Sequence, residues 1–248
     1  MNSPGSAGLQ PGNLANQSAK VELGAPGTSL PISAELELGA PGVAPNRPGW
    51  YSRGYLPHRD EVGLLQFLTF RLADSLPQEK LRQLEEELAL QTETAREVER
   101  RKRIERWLDA GMGCCALKHP RMAETMENAL LHFDGSRYRL VAWCIMPNHV
   151  HVLIQPGHPL SGIVQSWKSY TGRWALAHNA ELELGVPGQS LWMREYWDRY
   201  IRDETHLRQT IAYIHENPVK AGLCSSPQLW PWSSARLAGN AELQLGLA

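Results

Sequence analysis

Apolar positions along this chain follow two different periods, and the changes of period mark the elements. Phe67-Leu68-Thr69-Phe70-Arg71-Leu72 is rich in aromatic and branched side chains and reads as a strand, which Asp74-Ser75-Leu76-Pro77 breaks. Gln78 to Trp107 reads as one long charged helix with a thin stripe at Leu81, Leu84 and Leu88. Its Arg100-Arg101-Lys102-Arg103 run is read as a solvated helical face rather than a phosphate contact. Pro120 suits a helix start, and Met122, Met126, Ala129, Leu130 and Phe133 follow at helical spacing. Asp134-Gly135 turns the chain, Tyr138 to Ile145 predicts a second strand, and His149 to Ile154 a third, joined by a Pro147-Asn148 turn as an antiparallel hairpin.

Ser161 to His178 predicts a helix with Ile163, Trp167, Tyr170 and Trp174 on its buried face. Glu204 to His215 predicts another, which Pro218 should stop shortly afterwards. The order β-α-β-β-α, closed by a further helix, is that of an α+β protein. We expect a ferredoxin-like (RRM-like) antiparallel sheet with helices on one face, the other face free to bind something, and a C-terminal helix.

Residues 1 to 47 hold no aromatic residue and are rich in Gly, Pro, Ala and Ser, so they are expected to be a disordered tail. The folded domain is expected over 48–238, with an insertion loop at 179–190 and a second disordered tail over 239–248. A peptide recurs across these regions: Ala34-Glu35-Leu36-Glu37-Leu38-Gly39-Ala40-Pro41-Gly42 returns as Ala180-Glu181-Leu182-Glu183-Leu184-Gly185-Val186-Pro187-Gly188. The copies fall where insertions should disturb folding least, and their irregular spacing excludes a solenoid.

Composition changes this picture little. Lys and Arg number 25 against 26 Asp and Glu in 248 residues, so any basic surface must be local. The four cysteines show no C-x-x-C spacing, which points to a reduced, cytoplasmic protein. No apolar run approaches about 18 residues, and no membrane association is expected.

The candidate chemistry begins at Met146-Pro147-Asn148-His149-Val150-His151. On a strand, His149 and His151 point to the same face about 6.5–7 Å apart, a spacing that can hold one metal ion. Such a pair alone is more often two ordinary surface histidines. On the last helix, Tyr213 and Asn217 lie four residues apart and so share a face. Taken singly, Tyr213 is as readily a packing residue, and Asn217 a helix-terminal one before Pro218.

Together these residues resemble a family. Met146-Pro147-Asn148-His149-Val150-His151, followed by Tyr213-Ile214-x-x-Asn217-Pro218-Val219-Lys220-Ala221-Gly222-Leu223, is similar to the IS200/IS605-like single-tyrosine HUH transposases, above all their REP-associated tyrosine transposase (RAYT) branch. The likeness extends through Thr69-Phe70-Arg71-Leu72-Ala73-Asp74 and Arg194-Glu195-Tyr196-Trp197-Asp198-Arg199-Tyr200-Ile201-Arg202. The resemblance implies that His149, His151 and Asn217 bind a divalent metal, Mg²⁺ or Mn²⁺. It implies Tyr213 as the nucleophile that cuts single-stranded or hairpin DNA and leaves a 5′-phosphotyrosine. The chain would act as a monomer or a homodimer. Lys168, Arg173, Arg194, Arg199 and Arg202, close in sequence to Trp192, Trp197 and Trp232, are the candidate DNA contacts, with aromatic rings for bases and cations for phosphates. Nearby Asp198, Asp203 and Glu204 could instead neutralise several of them. The alternative function is a non-catalytic DNA- or RNA-binding protein on the same fold.

Overall fold

In β3 (Gln66–Arg71), β4 (Tyr138–Ile145) and β5 (His149–Pro156), apolar side chains occupy both parities, so a sheet of these strands has two faces to cover. A computed structural model describes residues 50–52, 57–59, 62–188 and 190–237. The two predicted tails lie outside the described residues. β1 (Trp50–Ser52) and β2 (Pro57–Arg59) form a small antiparallel ladder.

The main sheet has four antiparallel strands in the order β4-β5-β3-β6, with β6 at Trp197–Tyr200. With α3 (Pro120–Leu131) and α4 (Leu160–His178) as its crossovers, this is the predicted ferredoxin-like α+β arrangement. On one face Leu68, Phe70, Val150, Val152 and Ile154 meet Met122, Met126 and Leu130 of α3 and Ile163, Val164 and Trp167 of α4.

The opposite face is not open, contrary to expectation. Helix α5 (Glu204–Lys220) lies against it, packing Ile214, Leu207 and Ile211 on Phe67, Ala142, Cys144 and Leu153. Those strand residues were the signal for a second cover.

Three further expectations are corrected. The long helix is a helical hairpin, α1 (Gln78–Leu88) and α2 (Glu93–Asp109), turned at an extended Thr92. Folding back lets Ile104 and Leu108 bury against Leu84 and Leu88, which a straight helix could not do. Within the basic run, Arg100 pairs with Glu85 at 2.5 Å, and Arg103 bonds to Glu99 at 2.9 Å and pairs with Glu87. On α4, Tyr170 is half exposed, and Thr171 takes the place expected of it, in line with Trp167 and Ala175 at i, i+4 and i+8. Finally, α5 runs through Pro218 to Lys220. A proline in the last turn forfeits only its own bond to residue 214, and Pro218 still offers its carbonyl to Leu223 N–H at 2.8 Å.

The segment read as an insertion is folded too. Leu184 and Val186 are buried in the helix-side core, and the Asn179 side chain donates to and accepts from the Val186 backbone at 3.1 and 3.0 Å.

Candidate metal and nucleophile site beneath helix α5

Alternation along β5 sends Val150 and Val152 to the helix-side core and leaves His149 and His151 on the face beneath α5. They are 1% and 4% exposed, which removes the reading of two surface histidines. Their Nε2 atoms face one another at 3.0 Å.

Each outer ring nitrogen is held. His149 Nδ1 donates to the neighbouring Asn148 Oδ1 at 2.8 Å, and this bond fixes the tautomer that turns a lone pair of Nε2 inward. His151 Nδ1 shares a 2.8 Å hydrogen bond with the Thr69 hydroxyl, its cross-strand partner in register. A hydroxyl accepts as readily as it donates, so Thr69 serves either tautomer of His151. Burial alone pushes the pKa of His149 down to about 3, so the imidazole stays neutral and able to ligate at physiological pH.

Asp203 caps α5 by accepting from His206 N–H at 2.8 Å, and the helix then carries Tyr213 and Asn217 on one stripe above the histidines. Tyr213 sets its ring edge-on to His151, with centroids 5.4 Å apart, and to Phe67 at 5.9 Å. Phe67 in turn stacks on His151 at 5.6 Å. Lys220 Nζ stands 5.2 Å from the centre of the Tyr213 ring. Asn217 is 2% exposed and its Oδ1 has no hydrogen-bond partner. His215 is half-buried and shares a 2.8 Å bond with Ser234 Oγ, which ties α5 to the segment that follows it.

This donor set fits a divalent cation. Two converging imidazole nitrogens and one orphaned amide oxygen leave room for substrate and water ligands. Among the described residues no three His, Cys, Asp or Glu side chains gather in a metal-binding group.

The predicted DNA contacts divide. Arg199 pairs with Phe67 in register and so belongs to the histidine face. Arg194 and Arg202 are exposed. Lys168 and Arg173 ride on α4, across the sheet from the histidines. The ammonium of Lys168 donates to the carbonyls of Met193, Arg194 and Glu195 at 3.0–3.2 Å, which clamps α4 to that segment. Asn148 and Thr69 were missed as site residues. One precedes His149 and the other lies opposite His151, so strand pairing was the signal that could have found them.

Residues 119–217 match the family described as "Transposase IS200 like", a span that contains His149, His151, Tyr213 and Asn217. The chain is 28% identical over 120 residues to the putative REP-associated tyrosine transposase of Haemophilus influenzae (43% of this chain, 64% of that protein). It is 24% identical over 112 residues to the REP-associated tyrosine transposase of Escherichia coli K12 (45% and 63%). The matches thus span somewhat under two thirds of each relative. A solved structure of a REP-associated tyrosine transposase bound to a REP hairpin is similar at a TM-score of 0.45 and 16% identity, over 72% of this chain and 81% of that one. The resemblance read from the motifs therefore holds: this chain carries the IS200-like transposase pattern from the start of α3 to Asn217 and is similar to REP-associated tyrosine transposases.

Proposed function

We infer that the chain cuts and rejoins single-stranded or hairpin DNA, including REP-like repeats, through Tyr213. The observation that carries this reading is the meeting of two opposed imidazole nitrogens 3.0 Å apart with a tyrosine ring against one of them and an unsatisfied amide oxygen one turn further on. The names of the two curated relatives support it.

His149, His151 and Asn217 are the residues that would hold the divalent cation. A bound Mg²⁺ or Mn²⁺ supplies Lewis-acid polarisation of a phosphodiester oxygen. The chain's own groups do the rest. Phe67 and His151 orient the phenol ring, and Lys220 favours negative charge on its oxygen as the proton leaves. The tyrosine oxygen attacks phosphorus, the bond to the 3′-oxygen breaks, and that oxygen takes up a proton. The products are a 5′-phosphotyrosine and a 3′-hydroxyl. Because the new ester conserves the energy of the old one, the 3′-hydroxyl can reverse the step without nucleotide hydrolysis.

The test is incubation with labelled single strands drawn from repeats flanking the gene, with Mg²⁺, Mn²⁺ or a chelator. A covalent adduct from the wild type in cation, absent from Tyr213→Phe and from the chelated sample, is the expected result. Binding without an adduct in either cation would overturn the reading in favour of a non-catalytic nucleic-acid-binding protein.

A further inference from the structure

Arg71 was given no role by its sequence, yet it lies beside the histidine pair. It is directly opposite His149 in the β3–β5 ladder and shares the parity of Phe67 and Thr69, so its side chain belongs to the same face. It is 5% exposed. One terminal nitrogen donates to Ser75 Oγ at 3.1 Å, the guanidinium carbon sits 5.9 Å from the centre of the Trp197 ring, and Nε has no hydrogen-bond partner among the described residues.

Among the described residues no carboxylate is found to compensate this charge. Its pKa is lowered to about 10, first by burial and then by the like charge of Arg100. Arg100 itself is committed to Glu85. Buried cations are ordinarily paired, and an arginine left with Nε bare beside a ligand set lacks an anion.

We propose that Arg71 is a phosphate-binding residue of this site, its guanidinium taking an oxygen of the DNA phosphodiester that is presented to His149 and His151. A phosphodiester spreads one negative charge over two oxygens in a plane, which suits the Nε side of a guanidinium, and Arg makes such contacts where Lys makes only a point contact. Trp197, whose ring the guanidinium faces, and Arg100, whose charge acts on it, are both partly exposed. The assignment rests on the strand-transfer reading, but its test does not depend on catalysis.

The test compares wild type, Arg71→Met and Arg71→Lys in two measurements: thermal melting without DNA, and affinity for a short single-stranded oligonucleotide in the Tyr213→Phe background. Arg71→Met is expected to melt no lower than wild type, since it removes an unpaired buried charge. It should bind the oligonucleotide at least about tenfold more weakly, the scale of a lost charge-assisted hydrogen bond. Arg71→Lys should keep the fold and lose part of the affinity. Unchanged affinity in Arg71→Met overturns the proposal, and if that variant does not fold, unchanged affinity in Arg71→Lys does so. The covalent-adduct assay on wild type separates the two levels. An adduct with Arg71-independent binding sinks the phosphate assignment alone. Arg71-dependent binding without an adduct sinks the strand-transfer reading and leaves the assignment standing.

Discussion

Strand β5 sends Val150, Val152 and Ile154 to one face of the sheet and His149, His151 and Leu153 to the other. The first face is sealed by α3 and α4 with a continuous apolar core, and the polar atoms of its aromatic residues are paired within it. Trp167 Nε1 donates to the Tyr138 hydroxyl at 2.9 Å, and that hydroxyl donates to the Leu130 carbonyl at 2.6 Å. The second face is just as deeply buried but holds two histidines, an asparagine and an arginine, and keeps Asn217 Oδ1 and Arg71 Nε without partners. Burial on one face is spent on cohesion. On the other it withdraws imidazole, amide and guanidinium groups from water, where electrostatic interactions are strongest.

The comparison breaks most visibly at Trp167. Truncation to alanine should cost about 3–5 kcal/mol of stability, the range for large aromatic deletions in a close-packed core. Chemical denaturation reads the loss. Adduct formation per folded molecule should stay near that of the wild type, because no atom of Trp167 reaches the histidine face. A drop in specific activity as large as the drop in stability would show that the two faces are coupled.

On the other face the expected effect is a gain that depends on a ligand. Mn²⁺ at about 100 times its dissociation constant should stabilise the wild type by about 2.7 kcal/mol. His149→Ala should lose that increment, and chelation should remove it from the wild type. A melting temperature indifferent to the cation would sink the ligand assignment whatever the activity shows.

Much of the fold was legible because its signals are local. The His149–Ile154 strand, the Tyr138–Ile145 strand and the Pro120 helix start need only periodicity and a proline. The same held for the four residues of the proposed site, whose spacings of two and four survive without tertiary knowledge. What could not be read depends on pairing across the chain. Thr69 reaches His151 over 82 positions, and the reversal of α2 onto α1 is decided by Ile104 and Leu108 meeting Leu84 and Leu88. The buried repeat shows the same limit. Val186 stands where the other copy has Ala40, and the larger side chain fills a place in the core that the repeated motif alone does not reveal.

The smallest effect concerns Asp109, at the end of α2, whose carboxyl interacts with Lys220 and with Cys144, the register partner of His151. Burial and then Glu105 raise its pKa from 3.8 to about 6, against the pull of Lys220. A raised carboxyl pKa means that the folded protein binds more protons than the unfolded chain between about pH 4 and 6. Stability from this group is therefore complete below that window and falls as pH rises through it. At about 1.4 kcal/mol per pH unit, discounted because the group is only partly buried, Asp109→Asn should stabilise the protein at pH 7 by about 1–2 kcal/mol. The advantage should vanish below about pH 4, where the wild-type carboxyl is protonated in both states. Paired urea melts at the two pH values check it. An asparagine variant that is less stable than wild type at pH 7 would mean that the pair with Lys220 outweighs the burial, making this corner of the histidine face cohesive after all.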